Sequence, residues 1–285
     1  MKSIFNQEQI EFIKEYYQKE GSVYCAEKLG FTPKQINVKA SKIGVKVNPE
    51  IKKRNRRLIQ TGKPKQSIEK YNVNALYFIQ PSTPEASYLL GFLWADGYLY
   101  NKVNKISLEL VTKDMDEIEH LFQKSGKWVT AYRERPNRQP QSAIMTNNLH
   151  LYNFLKKHDY ESKHYISADK IIEHLPEYLV HYWFRGLFDG DGCIYNNPEK
   201  NLYQLSIAGS YEQDWTFIEK ILHRFNIHYN IQRREQKRKN KTTTKSSVIR
   251  ITNKNGIHKF ANYIYNGYEC DNIGLKRKYI NFRFH

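Results

Sequence analysis

The sequence predicts an α+β protein made of two pseudo-symmetric α-β-β-α-β-β-α halves, preceded by a small all-α module. Two apolar runs that end on Asp-Gly, "YLLGFLWADGY" and "YWFRGLFDGDGCIY", lie 95 residues apart. Strand and helix patterns then follow both runs in the same order, which indicates an internal duplication. The region before the repeat has helical spacing with caps and glycine stops. These three observations give the fold class.

Residues 1–48 are predicted to form a helix-turn-helix-like module. "NQEQIEFIKEYYQKEG" and "SVYCAEKLG" have the spacing of two helices, the second ending at Gly30. Thr32 can cap a third helix, with Pro33 at its first position. The excess of basic residues favours a DNA reader over a purely structural three-helix module. The candidate DNA contacts on the third helix are Lys34, Gln35, Asn37 and Lys39.

Residues 49–80 are predicted to be a basic linker. The stretch "IKKRNRRLIQTGKPKQ" contains seven Lys and Arg residues and no acid. Like charges at this density repel one another and oppose compact folding. The stretch is either a solvated tether or, between two candidate DNA-binding units, a segment that follows phosphates or a minor groove. Its candidate contacts are Lys53, Arg54 and Arg57.

The two predicted halves span residues 81–178 and 179–285. After the apolar run, each has an alternating strand, "KISLELV" or "YQLSIAG". In the first strand, Ile106, Leu108 and Leu110 share one face. An amphipathic helix, two strands joined by a polar hairpin and a last helix complete each half.

Composition restricts the partners and the compartment. The chain has 46 Lys and Arg against 29 Asp and Glu, a net charge of +17, which favours a polyanion such as nucleic acid. Its three cysteines are far apart, so a disulfide framework or a zinc cluster is not expected and a reducing compartment fits. No apolar stretch approaches membrane-spanning length. We therefore expect no membrane partner and a cytoplasmic location, in a bacterial or phage-infected cell.

The two apolar runs have small residues at matching places. Gly91 and Ala95 are four residues apart in the first run, as are Gly186 and Gly190 in the second. Small residues with this spacing let two helix backbones approach closely. We therefore expect the two helices to pack against each other at a pseudo-twofold axis.

Asp96 and Asp191 end the two helices, each followed by a glycine, Gly97 or Gly192, expected to be a left-handed cap. A carboxylate is disfavoured at the negative end of a helix dipole, and two neighbouring carboxylates repel each other. A divalent cation between them would remove both costs, and oxygen ligands suit Mg²⁺. One Asp-Gly could be an ordinary turn, but two copies in register favour a metal site that hydrolyses phosphodiesters.

"LLGFLWADG" and "FRGLFDGDG" resemble the nine-residue motif of the LAGLIDADG homing endonucleases. The resemblance extends over roughly residues 84–285. It implies a monomer whose two halves lay saddle-shaped antiparallel sheets in the major groove of double-stranded DNA. It also implies an intron-homing endonuclease that needs Mg²⁺, with Mn²⁺ as a substitute, and cuts both strands of a long target.

The resemblance also assigns roles to individual residues. Asp96 and Asp191 match the metal-binding catalytic acids, with the carbonyls of Ala95 and Gly190 nearby. The basic residues expected near the scissile phosphate are Lys163 in the first half and Lys276 or Lys278 in the second, although surface lysines are the ordinary alternative. Asp189 stands where the first copy has Trp94. That position is not a metal ligand in the family, so the difference should not abolish cleavage.

Groove contacts are expected from the two polar hairpins, because Arg and Gln can bind guanine and adenine edges with two hydrogen bonds. Since the hairpins differ in length and sequence, the target is expected to be asymmetric. The candidates are Tyr132, Arg133, Arg135, Arg138 and Gln139 in the first half and Gln232, Arg233, Arg234, Lys237, Arg238 and Lys239 in the second.

Three other functions fit the same composition. A non-cutting regulator on this scaffold would be expected to have lost one or both acids, and here both are present. A maturase that binds intron RNA could keep both acids, so this alternative stays open. A basic RNA-binding structural protein would show no metal dependence.

Overall fold

The computed structural model describes residues 5–51, 73–134, 136–237 and 243–282. The chain divides into two compact units, Met1–Ser67 and Ile68–His285. None of the helices within the described ranges is long and apolar enough to cross a membrane. Six candidate DNA contacts lie outside the described residues: Lys53, Arg54, Arg57, Arg135, Arg238 and Lys239.

The first unit consists of helices α1 (Gln7–Leu29) and α2 (Pro33–Lys42). Gly21 has φ 81° and ψ −174°, so it divides α1 into the two helices that the sequence predicts. Thr32 caps α2, and Gln35 completes a reciprocal capping box with it. The buried apolar residues of this unit are Ile13, Tyr17, Cys25, Ala26, Ile36 and Ala40.

The first half of the second unit contains α3 (Leu76–Ile79), α4 (Pro84–Asp96), β1 (Gly97–Tyr100), β2 (Lys105–Val111), α5 (Thr112–Gln123), β3 (Val129–Arg133), β4 (Gln141–Thr146) and α6 (Leu149–Lys157). Its strands form an antiparallel sheet in the order β1-β2-β4-β3. Helix α7 (Asp169–His174) and a short 3-10 turn connect it to the second half.

The second half contains α8 (Val180–Asp191), β5 (Gly192–Asn197), β6 (Leu202–Gly209), α9 (Thr216–Arg224), β7 (Asn230–Lys237), β8 (Thr243–Ile251), α10 (Lys254–Ile264), α11 (Tyr268–Asp271) and α12 (Lys276–Ile280). Its sheet has the order β5-β6-β8-β7, the same as in the first half. The α+β class and the duplicated αββαββα order are therefore confirmed.

Alternation in the strands places the core where the sequence predicts it. Ile106, Leu108 and Leu110 of β2 are buried, as are Leu205 and Ile207 of β6. The sequence prediction did not locate β1 and β5, which begin directly after the two motif helices. These strands are short, and half of their residues are exposed, so their apolar signal is weak.

Residues 73–80, assigned to the linker from sequence, pack against the first half. Phe78 is fully buried, and its ring contacts that of Trp128 with centroids 6.1 Å apart. Val73 is also buried and forms a β-bridge with Gly126. The apolar side chains of this segment need burial, so the folded half begins earlier than expected.

Helices α4 and α8 pack closely at the seam between the halves. A Cβ added to Gly91 would lie 1.9 Å from the carbonyl oxygen of Trp183, and one added to Gly186 would lie 2.0 Å from that of Tyr88. No side chain fits in either place. The predicted packing of the two motif helices through their small residues is therefore present.

Candidate active site and nucleic-acid interface

Both motif helices end at the seam, but their terminal glycines are not left-handed caps. Gly97 has φ −68° and ψ 148°, and Gly192 has φ −81° and ψ 150°, so both are extended and the predicted caps are wrong. An added Cβ would lie 2.3 Å from the carbonyl oxygen of Leu93 or of Phe188. Glycine is needed because each strand begins directly against the end of its helix, where a Cβ would collide with the helix backbone.

The carboxylates of the two motifs come together at this seam. A Cβ added to Gly190 would lie 2.4 Å from the Cβ of Ala95 and 3.0 Å from Oδ2 of Asp96. The Asp96 carboxylate thus lies against the last turn of α8, beside Asp191. Each acid follows one of the small residues through which the helices approach.

The seam raises the proton affinity of both acids. Burial raises the pKa of Asp191 to about 7; the negative charge of Asp96 adds to this rise, and the ammonium groups of Lys163 and Lys278 oppose it. Partial enclosure of its carboxylate at the seam also raises the pKa of Asp96, again opposed by the two lysines, although this residue is exposed whereas Asp191 is partly buried. A cavity of about 230 Å³, lined by Asp191 and Trp94 among others, lies beside the acids and is open to solvent. Negative charge at the seam is therefore incompletely compensated by the protein.

Lys163 reaches the end of α4 from the segment that follows α6. It is 6% exposed, and its Nζ donates to the carbonyl oxygens of Ala95 at 2.8 Å and Gly97 at 2.7 Å. Burial lowers its pKa to about 8, while the charges of Asp191 and Asp96 act in the opposite direction. The structure therefore brings Lys163 to the paired acids.

The structure also distinguishes the two candidate lysines of the second half. Lys278 of α12 is 7% exposed, and its Nζ donates to the carbonyl oxygen of Gly192. Lys276 is exposed, and its backbone N–H donates to Glu117 at 2.8 Å. Lys278 therefore takes the position at the end of α8 that Lys163 takes at the end of α4.

The oxygen donors at the seam fit a hard divalent cation. Within the described ranges, no group of three or more His, Cys, Asp and Glu side chains could hold a metal ion. Two carboxylates with raised proton affinity are nonetheless the donor set that Mg²⁺ uses when it keeps most of its waters. The carbonyl of Ala95, one candidate ligand, already accepts a hydrogen bond from Lys163.

Strand register shows which residues are on the outer face of the first sheet, the face away from the helices, because directly paired residues point to the same side. Arg133 pairs with Gln141 on this outer face, and its guanidinium binds Glu109 at 2.8 Å. Tyr132 pairs with Ser142 and belongs to the helix-side face, where Leu110 is also found. Arg138 and Gln139 are exposed in the β3–β4 hairpin.

In the second sheet, Gln232 and Arg234 are on the outer face, and Lys237 is exposed at the end of β7. Arg233 has the opposite parity, and its Nε donates to the carbonyl oxygen of Tyr211 at 2.9 Å. Other outer-face residues were not among the predicted contacts: Tyr98, Tyr100, Tyr195, Gln204 and Arg250. Alternation with the buried residues of β6 and β8 would have found Gln204 and Arg250, whereas the tyrosines lie in β1 and β5, whose pattern is weak.

Helix α2 of the first unit exposes Lys34, Gln35 and Asn37, and Lys39 is partly buried. The Gln35 side chain is used in the capping box of α2. Oδ1 of Asn37 accepts a hydrogen bond from the Tyr17 hydroxyl at 2.7 Å, which fixes the orientation of its amide.

Two family models match the chain, one in each half. The "WhiA LAGLIDADG-like domain" matches residues 85–162, and the "LAGLIDADG-like domain" matches residues 179–265. No curated protein matches the chain.

Several solved structures are similar to the chain. The homing endonuclease I-WcaI bound to its DNA recognition sequence is 17% identical over 73% of this chain and 91% of that chain, with a TM-score of 0.44. The LAGLIDADG homing endonuclease I-GzeII in complex with a DNA target is 13% identical over 70% and 87%, with a TM-score of 0.42. Full-length DUF199/WhiA from Thermatoga maritima is 18% identical over 74% and 71%, with a TM-score of 0.41.

Proposed function

Because the chain belongs to the LAGLIDADG family, we propose that it is a site-specific endonuclease that hydrolyses both strands of a long, asymmetric DNA target with a divalent cation. The observation that carries this proposal is the pairing of Asp96 and Asp191 at the seam, where burial and mutual charge raise the pKa of Asp191 to about 7. Lys163 and Lys278 compensate only part of this negative charge, and a bound cation would remove the remaining cost.

Asp96 and Asp191 would hold the cation, Mg²⁺ with Mn²⁺ as a substitute. When bound, such a cation lowers the pKa of its water and stabilises negative charge on phosphate oxygens. The chain itself adds two buried ammonium groups, Lys163 and Lys278, one at the end of each motif helix. Their positive charge near the scissile phosphates would stabilise the transition state, because donors fixed in advance need no reorganisation.

The outer faces of the two sheets would bind the DNA grooves. Gln232, Arg234 and Arg250 offer the side chains that bind base edges, and the guanidinium of Arg133 is present on the equivalent face of the first sheet. The helical unit would add contacts through Lys34, and the net charge of +17 supports phosphate binding along the whole site. A monomer is expected, since one chain supplies both halves.

A second candidate function is that of a LAGLIDADG protein that binds DNA without cutting it. The observation that favours it is the contact of the Lys163 ammonium with the carbonyl oxygens of Ala95 and Gly97. This ammonium compensates part of the negative charge at the seam without a metal. The two candidates differ in what the two acids do.

The test combines binding and cleavage on the same DNA. Duplexes that bind the protein in EDTA are selected from a random library. These duplexes, and a duplex in which the two DNA sequences flanking the gene are joined without it, are then incubated with Mg²⁺ or Mn²⁺. The endonuclease should cut both strands only with the cation. Asp96→Asn and Asp191→Asn should each slow cleavage by about 100-fold or more, while affinity changes little.

Asp116→Asn is the matched control, because it removes the same charge from an exposed position on α5. It should leave cleavage and binding unchanged. Tight duplex binding without cleavage in either metal would contradict the proposal and support the second candidate. Selective binding of a structured intron RNA instead of duplex DNA would contradict both and favour a maturase.

A further inference from the structure

The second motif helix contains a buried acid and a buried base that no seam chemistry uses. Asp189 is 1% exposed and Arg185 is fully buried, one helical turn apart on α8. Buried charges need fixed partners, because the loss of their hydration is otherwise uncompensated. All their hydrogen-bond and ring partners except Tyr88 and Tyr182 belong to residues 264–275, the segment directly before α12.

Arg185 fastens this segment to α8. Its Nε donates to the carbonyl oxygen of Ile264 and its Nη2 to that of Asn266, both at 2.7 Å. Its Nη1 donates to the carbonyl oxygen of Ile273 at 2.7 Å and to the carboxylate of Asp271 at 3.0 Å. A planar guanidinium can hold four such acceptors at once, whereas an ammonium cannot reproduce this geometry.

Asp189 binds residues at both ends of the same segment, Tyr265 and Leu275. Its Oδ2 accepts from the backbone N–H of Leu275 at 2.7 Å and from the Tyr88 hydroxyl at 2.9 Å, and its Oδ1 accepts from the Tyr265 hydroxyl. Gly274 has φ +136°, and a Cβ there would lie 3.0 Å from Oδ2 of Asp189. The chain therefore passes directly over the Asp189 carboxylate.

Leu275 is the N-cap residue of α12, the five-residue helix that carries Lys278. So short a helix has little stability of its own. Its position is therefore set by the anchored residues before it, which fix where Lys278 meets the carbonyl of Gly192. We propose that Asp189 and Arg185 are positioning residues for Lys278. This inference rests on the proposed function only for its effect on cleavage.

Among the residues that the structure describes, the first half has no equivalent of this anchor. Leu90 and Trp94 stand 95 residues before Arg185 and Asp189. The segment that carries Lys163 is held instead by the Tyr160 hydroxyl, which donates to the carbonyl oxygen of Leu90 at 2.8 Å. Loss of the anchor should therefore affect Lys278 and leave Lys163 in place.

The first test measures lysine reactivity and needs no cleavage. The protein is labelled with a limiting amount of an amine acetylating reagent, and the labelled fraction of each lysine is read by mass spectrometry. In Asp189→Asn, the charge and one acceptor oxygen are lost. A tyrosine hydroxyl can turn to accept from the new amide NH2, but the Leu275 N–H can only donate, so its contact becomes a weaker, neutral hydrogen bond. Lys278 should then be labelled several-fold faster than in the wild type, with the rate at Lys163 unchanged.

Tyr265→Phe provides a second variant, should Asp189→Asn fold poorly. It removes one donor to Asp189 but keeps the negative charge, which opposes the burial that lowers the pKa of Lys278. A smaller increase in Lys278 labelling in this variant therefore reports a change of position and not of charge, and no increase would contradict the positioning role. Ile249→Ala is the control, since it truncates a buried residue of β8 that pairs with Ile207 and Ile231 in the second sheet, and it should leave Lys278 labelling unchanged. Equal labelling of Lys278 in the wild type and Asp189→Asn would overturn the proposal, as would equal increases at Lys163 and Lys278.

The second test resolves the two strands of a duplex that the wild type cuts. Asp189→Asn should slow cleavage of one strand by about 10- to 100-fold, the same strand that Lys278→Met slows. The other strand should be cut at nearly the wild-type rate, so nicked product accumulates. The double variant should be no slower than Lys278→Met alone. If both strands slow together in Asp189→Asn, the residue has a general structural role and the proposal is wrong.

The two tests separate the two proposals. A wild type that cuts neither strand would contradict the proposed endonuclease, and lysine labelling would still decide whether Asp189 positions Lys278. Normal cleavage of both strands by Asp189→Asn would contradict the positioning role and leave the endonuclease intact.

Discussion

Replacement of Asp191 by asparagine should stabilise the metal-free protein at neutral pH, although it removes a proposed catalytic residue. Burial and the charge of Asp96 raise the pKa of Asp191 to about 7, so its ionised form is disfavoured in the folded state. Asparagine has nearly the same shape and carries no charge. The substitution therefore removes an electrostatic cost that a bound cation would otherwise remove.

The magnitude and sign follow from proton linkage. A rise from 3.8 to about 7 corresponds to roughly 4 kcal/mol, at about 1.4 kcal/mol per tenfold change in proton affinity. Because the folded pKa is raised, the stability that Asp191 contributes is complete below pH 3.8 and is lost as the pH rises through 7. Lys163 also loses a favourable partner in Asp191→Asn, so we expect a net gain of about 1–2 kcal/mol at pH 7.5.

Urea denaturation followed by tryptophan fluorescence measures this gain, since all four tryptophans belong to the second unit. In EDTA, the free energy of unfolding of Asp191→Asn should be larger than that of the wild type at pH 7.5, and the difference should become small at pH 4.5. Saturating Mg²⁺ should stabilise only the wild type and reduce the difference. Asp116→Asn, which removes the same charge from an exposed position, is the control for the substitution itself. A less stable Asp191→Asn at pH 7.5, or an equal gain at both pH values, would refute this reasoning.

Two further predictions concern the contacts between the halves. Gly186→Ala should lower the free energy of unfolding by about 3 kcal/mol in the same assay, because its Cβ would meet the carbonyl oxygen of Tyr88 at 2.0 Å; an effect below 1 kcal/mol would show that the helices separate easily. Arg277→Met should lower the free energy of unfolding by about 1–2 kcal/mol, since it leaves Asp114, which Arg277 binds at 2.7 and 2.8 Å, without its partner. Arg224→Met is the control: it breaks an exposed ion pair with Glu177 and should cost under about 0.5 kcal/mol. Equal costs would contradict a special role for the Arg277–Asp114 pair.

The features that the sequence predicted well are those set by local pattern and by repetition. Alternation placed Ile106 and Leu108 in the core, and matching small residues placed Gly91 and Gly186 at a helix contact. Both signals have a fixed period, so they survive without knowledge of the partner surface. The pairing of Asp96 with its counterpart then followed from the duplication.

The features that it missed depend on contacts between distant residues. Gly97 is needed because its Cβ would meet the carbonyl of Leu93, a steric conflict that a backbone dihedral rule does not reveal. The choice between Lys276 and Lys278 depends on where α12 begins, which the bond from Leu275 to Asp189 determines. No local pattern in "NIGLKRKYINF" encodes that bond.

The duplication itself explains why the two halves can differ at a shared seam. In a symmetric dimer, any residue that anchors one lysine-bearing segment must also be accommodated in the other copy. A single chain has no such constraint, so the second motif helix can have Asp189 at the position where the first has Trp94. The aromatic ring of Trp94 packs at 6.0 Å from that of Trp183, in the core between the halves. One motif position thus serves packing in one half and lysine placement in the other, while the acid two residues later is kept in both.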